Sequence, residues 1–159
     1  MDINEMSKEE QIVILKQKGY YHIQDINNPC IEVQLEAVKN DGYIIQYINN
    51  PCIEVQLEAV KQDGFAIQYI DNPSLEIQFS AVKENGLSIQ YIDNPCIEIQ
   101  LAAVKKNGYA IQYIDNPTEQ MQIIAIKKDK NYMDYIKEPT TKTALLYIAL
   151  VLQDISNKL

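Results

Sequence analysis

Three cysteines and a single histidine are the residues of this sequence that could bind a metal ion or form a nucleophile–base pair. The cysteines share one position of a 22-residue pattern, which holds in turn Cys30, Cys52, Ser74, Cys96 and Thr118. A position that accepts Cys, Ser and Thr requires a small side chain and does not indicate a ligand. We therefore expect free thiols, without a metal site or a disulfide.

His22 stands alone as a candidate catalytic base. Equivalent positions elsewhere in the chain hold Ile44, Ala66, Ser88 and Ala110, so His22 is best explained as a substitution in a terminal unit. The glycines are single and periodic, which excludes a glycine-rich phosphate loop. The carboxylates are expected at solvent-exposed positions, and no group of residues meets the requirements of an active site. The sequence predicts a protein that is not an enzyme and has no cofactor.

Two ladders of polar side chains repeat every 22 residues. The first consists of Gln34, Gln56, Gln78, Gln100 and Gln122. The second consists of Gln24, Gln46, Gln68, Gln90 and Gln112, and tyrosines follow its later members at Tyr47, Tyr69, Tyr91 and Tyr113. A helical wheel places Gln56 between Ala59 and Val60, so we expect its half-buried amide to pair with the equivalent amide one repeat away. The alternative is a polar-aromatic stripe that binds a partner, for which tyrosine is well suited.

The charge of the chain is −8, and every cation is a lysine. Residues 1–80 contain 13 acids and 5 lysines, whereas residues 81–159 contain 9 of each. Glu32, Glu36, Glu54 and Glu58 are therefore predicted to form an acidic ridge for a basic partner. Drift on a solvated surface is the alternative explanation. Phosphate contacts need cations, so direct binding of nucleic acid is not expected.

A repeat organises the whole chain. The phrase NNPCIEVQLEAVK occurs at residues 27–39 and again at 49–61, and all prolines are 22 residues apart, at Pro29, Pro51, Pro73, Pro95, Pro117 and Pro139. Four of the five glycines follow the same period, at Gly42, Gly64, Gly86 and Gly108. A fixed period of this length predicts a solenoid, in which each unit buries its apolar surface against its neighbours.

Each unit is predicted to contain two short helices. In the first, Asn50 is expected to be the N-cap, Pro51 the first helical residue and Gly64 the end. The wheel places Ile53, Leu57 and Val60 on one apolar face and Val55 with Ala59 on another, as a sandwiched helix requires. The second part, FAIQYIDN, has room for about two turns. A β-strand is the alternative prediction for this segment, but a proline every 22 residues would interrupt the hydrogen bonds between strands.

The pattern resembles HEAT-like short α-solenoid repeats. It is more similar to an uncharacterised family of short AVKxNGxAIQYI repeats, described only as a domain of unknown function. The resemblance covers Asn27 to Ile136 and depends on Ala59-Val60-Lys61, Gly64 and Ile67-Gln68-Tyr69-Ile70 with their copies. It implies a scaffold fold of stacked helices and transfers no catalytic residues.

The predicted architecture is one all-α domain of about six two-helix units. Residues 1–26 form an N-terminal cap and first partial repeat, residues 27–136 the repeats, and residues 137–159 a C-terminal capping helix. Ser7 and Glu10 have the spacing of a capping box. The apolar run Ala144–Leu152 is too short to span a bilayer and no signal peptide is visible, so a cytoplasmic location is expected.

The sequence favours a protein-binding solenoid that docks its acidic face, with the tyrosines, on a basic protein. The chain has no arginine and contains 25 isoleucines against 11 leucines, a composition typical of AT-rich genomes such as those of low-GC bacteria, phages or large viruses. An inhibitor of a nucleic-acid-handling defence enzyme would fit such a source. The alternative is a structural protein that forms a homodimer through its apolar C-terminal helix. Without a second copy, the apolar positions Ala102 and Ile124 would have to cover that helix.

Overall fold

The structure, a computed structural model, describes residues 2–157, and within that range it contains helices and no strand. The all-α class and the tandem helix pairs expected from the 22-residue period are confirmed. Met1, Lys158 and Leu159, the outermost residues of the two predicted capping segments, lie outside the described residues.

Within residues 2–157 the α-helices are α1 (Lys8–Lys18), α2 (Ile31–Asn40), α3 (Ile53–Gln62), α4 (Leu75–Glu84), α5 (Ile97–Lys106), α6 (Glu119–Lys128) and α7 (Thr141–Ser156). In the same range the 3-10 helices are η1 (Ile3–Glu5), η2 (Tyr20–Asp25), η3 (Gly42–Tyr47), η4 (Gly64–Tyr69), η5 (Gly86–Tyr91), η6 (Gly108–Tyr113) and η7 (Lys130–Tyr135). The second element of each unit is thus the tighter 3-10 helix, which fits two turns into six residues.

The units stack in two layers. Helix α3 packs between α2 and α4 in one layer, while η3, η4 and η5 follow one another in the second. Val55, Ala59 and Val60 are fully buried between the layers, and their copies in the other repeats continue one core through the array. The predicted apolar face through Ile53 is wrong, because Ile53 occupies the first turn of α3 and is 59% exposed.

Each α-helix of the repeats, from α2 to α6, begins two residues later than the sequence suggested. Cys52, not Asn50, is the N-cap of α3, and Pro51 precedes the helix instead of opening it. Asn50 adopts φ 49°, in the left-handed region that asparagine tolerates better than most residues. The Asn–Pro pair therefore forms the turn between units, and the position shared by Cys, Ser and Thr is the helix cap.

Only some occupants of this cap position make the capping hydrogen bond. Ser74 Oγ accepts from Ile77 N at 3.4 Å and Thr118 Oγ1 accepts from Met121 N at 3.4 Å, whereas the cysteine caps accept no such bond. A hydroxyl at this position accepts a hydrogen bond from an N–H group of the first turn. In the cysteine-capped helices this N–H group has no side-chain acceptor at the cap.

Replacing Cys30, Cys52 and Cys96 together with serine is expected to stabilise the protein. About 0.5 kcal/mol per new cap would raise Tm by roughly 3–6 °C in a chain of this size. Thermal unfolding followed by circular dichroism measures the change. Ser74→Cys is the matched reverse substitution and should lower Tm. An unchanged or lower Tm for the triple variant would remove the capping explanation.

The periodic glycine has a role that the sequence did not indicate. Helix α3 ends at Gln62 with Asp63 as its C-cap, and Gly64 is the first residue of η4. A Cβ atom at Gly64 would lie 2.5 Å from Ala81 O, a backbone atom of the next repeat. At Gly42, Gly64 and Gly86 the absence of a side chain therefore sets how closely the 3-10 helix approaches the following α-helix.

Both ends of the array are closed as expected. The capping box of α1 is present, with Ser7 Oγ accepting from Glu10 N at 3.3 Å and Ser7 N donating to Glu10 Oε2 at 2.8 Å. At the other end, α7 packs Leu146 and Tyr147 against α6 and η7. No helix in the described part of the chain is long and apolar enough to cross a membrane.

Candidate partner-binding surface

The tyrosine ladder lies on the outside of the 3-10 layer. Tyr47, Tyr69, Tyr91 and Tyr113 each end a 3-10 helix and are 36–41% exposed. One edge of a ring contacts the preceding repeat: Tyr43 meets Tyr69 and Phe65 meets Tyr91, both with ring centroids 5.8 Å apart in T-shaped geometry. Each of these two rings is thus held in place on one side and open to a partner on the other.

A cavity of about 480 Å³ opens beside Tyr91. Its lining includes Gln68, Asp71 and Asn72 from one unit, together with Tyr91 and Asp93 from the next. Similar cavities of about 310 and 430 Å³ occupy the equivalent place near Tyr47 and near Asp115. Open, polar depressions therefore recur along this layer, where η2 meets η3, where η4 meets η5 and where η6 meets η7.

The first glutamine ladder shapes these depressions by fixing the turns beside them. Gln56 Nε2 donates to Pro51 O at 2.8 Å, and Gln78 Nε2 donates to Pro73 O at 2.9 Å. The side chains are half-buried, as the wheel predicted. The predicted pairing of equivalent amides between repeats is wrong, because the carbonyl of the unit's own proline lies within reach of each amide.

The second glutamine ladder also bonds within its own unit. Gln46, Gln68 and Gln90 each donate from Nε2 to the carbonyl three residues earlier, at 3.0–3.1 Å. These bonds brace the 3-10 helices that carry the tyrosines. The first ladder and these three members of the second therefore have a structural role, whereas Gln112 Nε2 is buried without a hydrogen-bond partner among residues 2–157. The tyrosine rings of the ladder stay partly exposed.

The acidic ridge lies on a different layer from the tyrosines. Glu32, Glu36, Glu54 and Glu58 belong to α2 and α3, whereas the tyrosines belong to the 3-10 helices. No hydrogen bond or ion pair within residues 2–157 joins the two sets. The predicted site thus consists of two separate surfaces.

Lysines of α1 already neutralise half of the ridge. Lys8 Nζ lies 3.1 Å from Glu32 Oε1, and Lys16 Nζ lies 2.8 Å from Glu36 Oε1. Hydrogen bonds from its own backbone N–H group and from Lys8 lower the pKa of Glu32 to about 2, and the Lys16 ammonium lowers the pKa of Glu36. Among the described residues no cation forms an ion pair with Glu54, and Glu58 accepts from Gln62 Nε2 at 3.0 Å.

The equivalents of Glu36 and Glu58 further along the chain are Ser80, Ala102 and Ile124. All are half-buried, and Ala102 and Ile124 pack against the core.

Sequence reasoning missed a second set of carboxylates. Asp71, Asp93 and Asp115 are exposed in the turns that follow the 3-10 helices, and two of them line the cavity beside Tyr91. The ladder begins with Asn27 and Asn49 and ends with Lys137, whose Nζ lies 3.7 Å from Asp115 Oδ1. The signal in the sequence was a periodic position that changes from Asn to Asp and then to Lys.

The remaining chemically active residues do not converge. His22 Nδ1 lies 2.8 Å from Asp25 Oδ2, and its ring stacks on Tyr21 with centroids 4.2 Å apart. The cysteines are free and distributed over the helix caps. Within residues 2–157 no group of three or more His, Cys, Asp and Glu side chains could hold a metal ion.

Comparison with known proteins gives one match. A protein-family model described as "Domain of unknown function (DUF4116)" matches three overlapping segments, at residues 30–75, 52–94 and 74–118. The starts of these segments follow the 22-residue period, and together the segments cover more than half of the chain. Searches of curated proteins and of solved structures returned no significant match.

Proposed function

Because the chain belongs to the repeat family described as a domain of unknown function (DUF4116), a description that names no activity, we propose a function from its surface. We propose that the protein is a non-enzymatic binding scaffold that holds a basic, extended segment of a partner protein along its 3-10 layer. The observation that carries this proposal is the cavity shared by Tyr91, Asp71 and Asp93.

The side chains at this cavity suit a lysine or arginine of the partner. A cation over the face of a tyrosine ring is attracted by the ring quadrupole, and arginine also stacks on it. Asp71 and Asp93 are exposed, and no lysine of residues 2–157 forms an ion pair with either, so a cation that binds there displaces no ion pair within that range. The edge contact of Tyr91 with Phe65 holds the ring, which reduces the entropy lost on binding.

The charge of the turns concentrates this attraction in the middle of the array. The repeat position of Asp71 is occupied by Asn27 and Asn49 in the earlier units and by Lys137 in the last unit. Two junctions therefore combine two aspartates: Asp71 with Asp93, and Asp93 with Asp115. We therefore place the partner's most important cation at the first of these junctions, beside Tyr91, because Asp115 at the second already lies 3.7 Å from Lys137 Nζ.

The spacing of the junctions selects the conformation of the bound segment. Packed helices lie about 8–10 Å apart, which sets the step from one repeat to the next. A polyproline II segment completes a turn of three residues in roughly 9 Å, so its residues i and i+3 face the same side. A basic segment with arginine at every third residue would thus present one cation to each junction, and aromatic-lined grooves are known to bind this conformation.

A labelled peptide with the sequence (Arg-Pro-Pro)₃ tests the proposal directly. We expect it to bind at low salt, to weaken as salt rises, and to bind more tightly than a peptide of the same composition with its arginines in one block. Fluorescence anisotropy measures both affinities. Equal affinity for the two peptides would contradict the spacing argument, and no binding of either peptide would contradict the proposed function.

Two variants of equal charge change locate the binding surface. Asp71→Asn with Asp93→Asn should weaken peptide binding roughly 3–10-fold, the effect of losing two exposed ion pairs. Glu54→Gln with Glu58→Gln removes the same charge from the acidic ridge and should change the affinity less than twofold. A larger loss of affinity for the Glu54 and Glu58 variant would place binding on the ridge. Equal losses for the two variants would show that only the net charge of the protein attracts the peptide.

The specific form of this proposal is an inhibitor, from a phage or a virus, that covers the cationic groove of a nucleic-acid-handling defence enzyme. Such a partner presents basic side chains that normally contact phosphates. The acidic turns and the net charge of −8 support this form of the proposal.

A further inference from the structure

Helix α7 divides into a packed face and an uncovered apolar face. Thr143 is buried, and Leu146 and Tyr147 pack against the core of the array. On the other side, Leu145, Ile148, Leu152 and Ile155 are 52–63% exposed. Since this face is exposed along its whole length, the array's own Ala102 and Ile124 do not cover it, contrary to one of the expectations from sequence.

The exposed face, Leu145–Ile148–Leu152–Ile155, has the spacing of a coiled-coil seam. Its members follow one another at intervals of 3, 4 and 3 residues, which is the a/d pattern of a heptad. Ala149 and Ser156 occupy the same side of the helix, so the face carries no charge. A seam of this kind on a solvent-facing helix indicates a second helix as its partner.

We infer that this seam binds the α7 helix of a second copy of the chain, in antiparallel orientation. The seam is symmetric about residue 150, so an antiparallel pair places Leu145 against the partner's Ile155 and Ile148 against the partner's Leu152. Each of the four side chains of one chain then packs against one side chain of the other. A parallel pair with Leu at a and Ile at d would favour higher oligomers, whereas the antiparallel pair closes as a dimer.

The size of the seam predicts a reversible dimer. Helix α7 has 16 residues and is therefore about 24 Å long. An interface of one short helix from each chain lies at the small end of specific interfaces, so we expect dissociation in the micromolar range. The helix itself is fixed to the array by the ion pair of Lys130 with Asp154 and by the bond of Thr140 N to Gln122 Oε1 at 2.9 Å. The seam is consequently presented as a rigid surface.

Light scattering of the full chain as a function of concentration tests the dimer. The mass should rise from 18.3 kDa toward twice that value between about 1 and 100 µM. Leu145→Gln with Leu152→Gln should keep the protein monomeric. Ile53→Gln with Leu75→Gln, which alters two equally exposed side chains of the array, should leave dimerisation unchanged. A monomer at 100 µM, or a mass above that of a dimer, would overturn the inference.

Cross-linking in the cysteine-free background of Cys30→Ser, Cys52→Ser and Cys96→Ser tests the orientation. A mixture of Leu145→Cys and Ile155→Cys chains should form a disulfide-linked heterodimer under mild oxidation. Leu145→Cys chains alone should not, because residue 145 of each chain lies ten residues, or about 15 Å, from its copy along the antiparallel pair. Efficient cross-linking of Leu145→Cys alone would instead show a parallel pair.

Discussion

Gly86→Ala is expected to destabilise the protein by about 3 kcal/mol, and Tm should fall by roughly 6–12 °C. The new Cβ atom would lie 2.5 Å from Ala103 O and 2.9 Å from Asn107 N. Both are backbone atoms at the end of α5, in the next repeat, and neither can rotate away. The clash therefore separates η5 from α5 and weakens the contact between two neighbouring units.

Gly108→Ala is the matched control in the same repeat position. Here a Cβ atom would meet Tyr132 Cε2 at 2.8 Å and Lys128 Cδ at 3.1 Å. These are side-chain atoms, which can move by a few tenths of an ångström, so we expect a loss of about 1 kcal/mol or less. Thermal and urea unfolding measure both variants. Equal losses for Gly86→Ala and Gly108→Ala would contradict the close-approach explanation of the glycines.

The architecture was predictable from the sequence because the period of the repeat is unusually clear. Prolines and glycines every 22 residues fix where the units begin and end, and a unit of that length can hold only two short elements. The sequence could not distinguish the reason for each glycine. A helix terminus and a close backbone approach both require glycine, and only the position of Ala81 O beside Gly64 separates them.

The first residue of each repeat α-helix was predicted two positions too early. Asparagine followed by proline is a common helix start, so Asn50 and Pro51 suggested a cap. Asparagine is equally suited to a left-handed turn, and that is the conformation it adopts here. The shift moves Cys52 to the cap and leaves Ile53 in the exposed first turn, which explains why the helical wheel placed Ile53 wrongly in the core.

The proposed binding surface was only partly visible in the sequence. The tyrosine ladder was found from its period, but its nearest carboxylates were sought on the α-helices, where glutamates are abundant. Asp71 and Asp93 stand in turns that were treated only as connections. Their proximity to Tyr91 depends on how one repeat stacks on the next, a distance that no pattern within a single repeat contains.

A whole-repeat deletion is expected to leave a folded protein, whereas a half-repeat deletion is not. Removing residues 51–72 joins Asn50 to Pro73 and preserves every junction type, because each α-helix packs on the ones before and after it. Removing residues 51–61 takes away α3 almost entirely and leaves η4 without its partner. The second variant exposes the apolar faces of α2 and α4 and should lose its cooperative unfolding transition.

Circular dichroism with thermal unfolding of these two deletion variants is the most direct test of the array. We predict a helical spectrum and a cooperative transition for the deletion of 51–72, with Tm lower than that of the full chain because one interface fewer contributes to stability. For the deletion of 51–61 we predict loss of both. An unfolded whole-repeat variant beside a folded half-repeat variant would contradict the account of a solenoid built from neighbouring units.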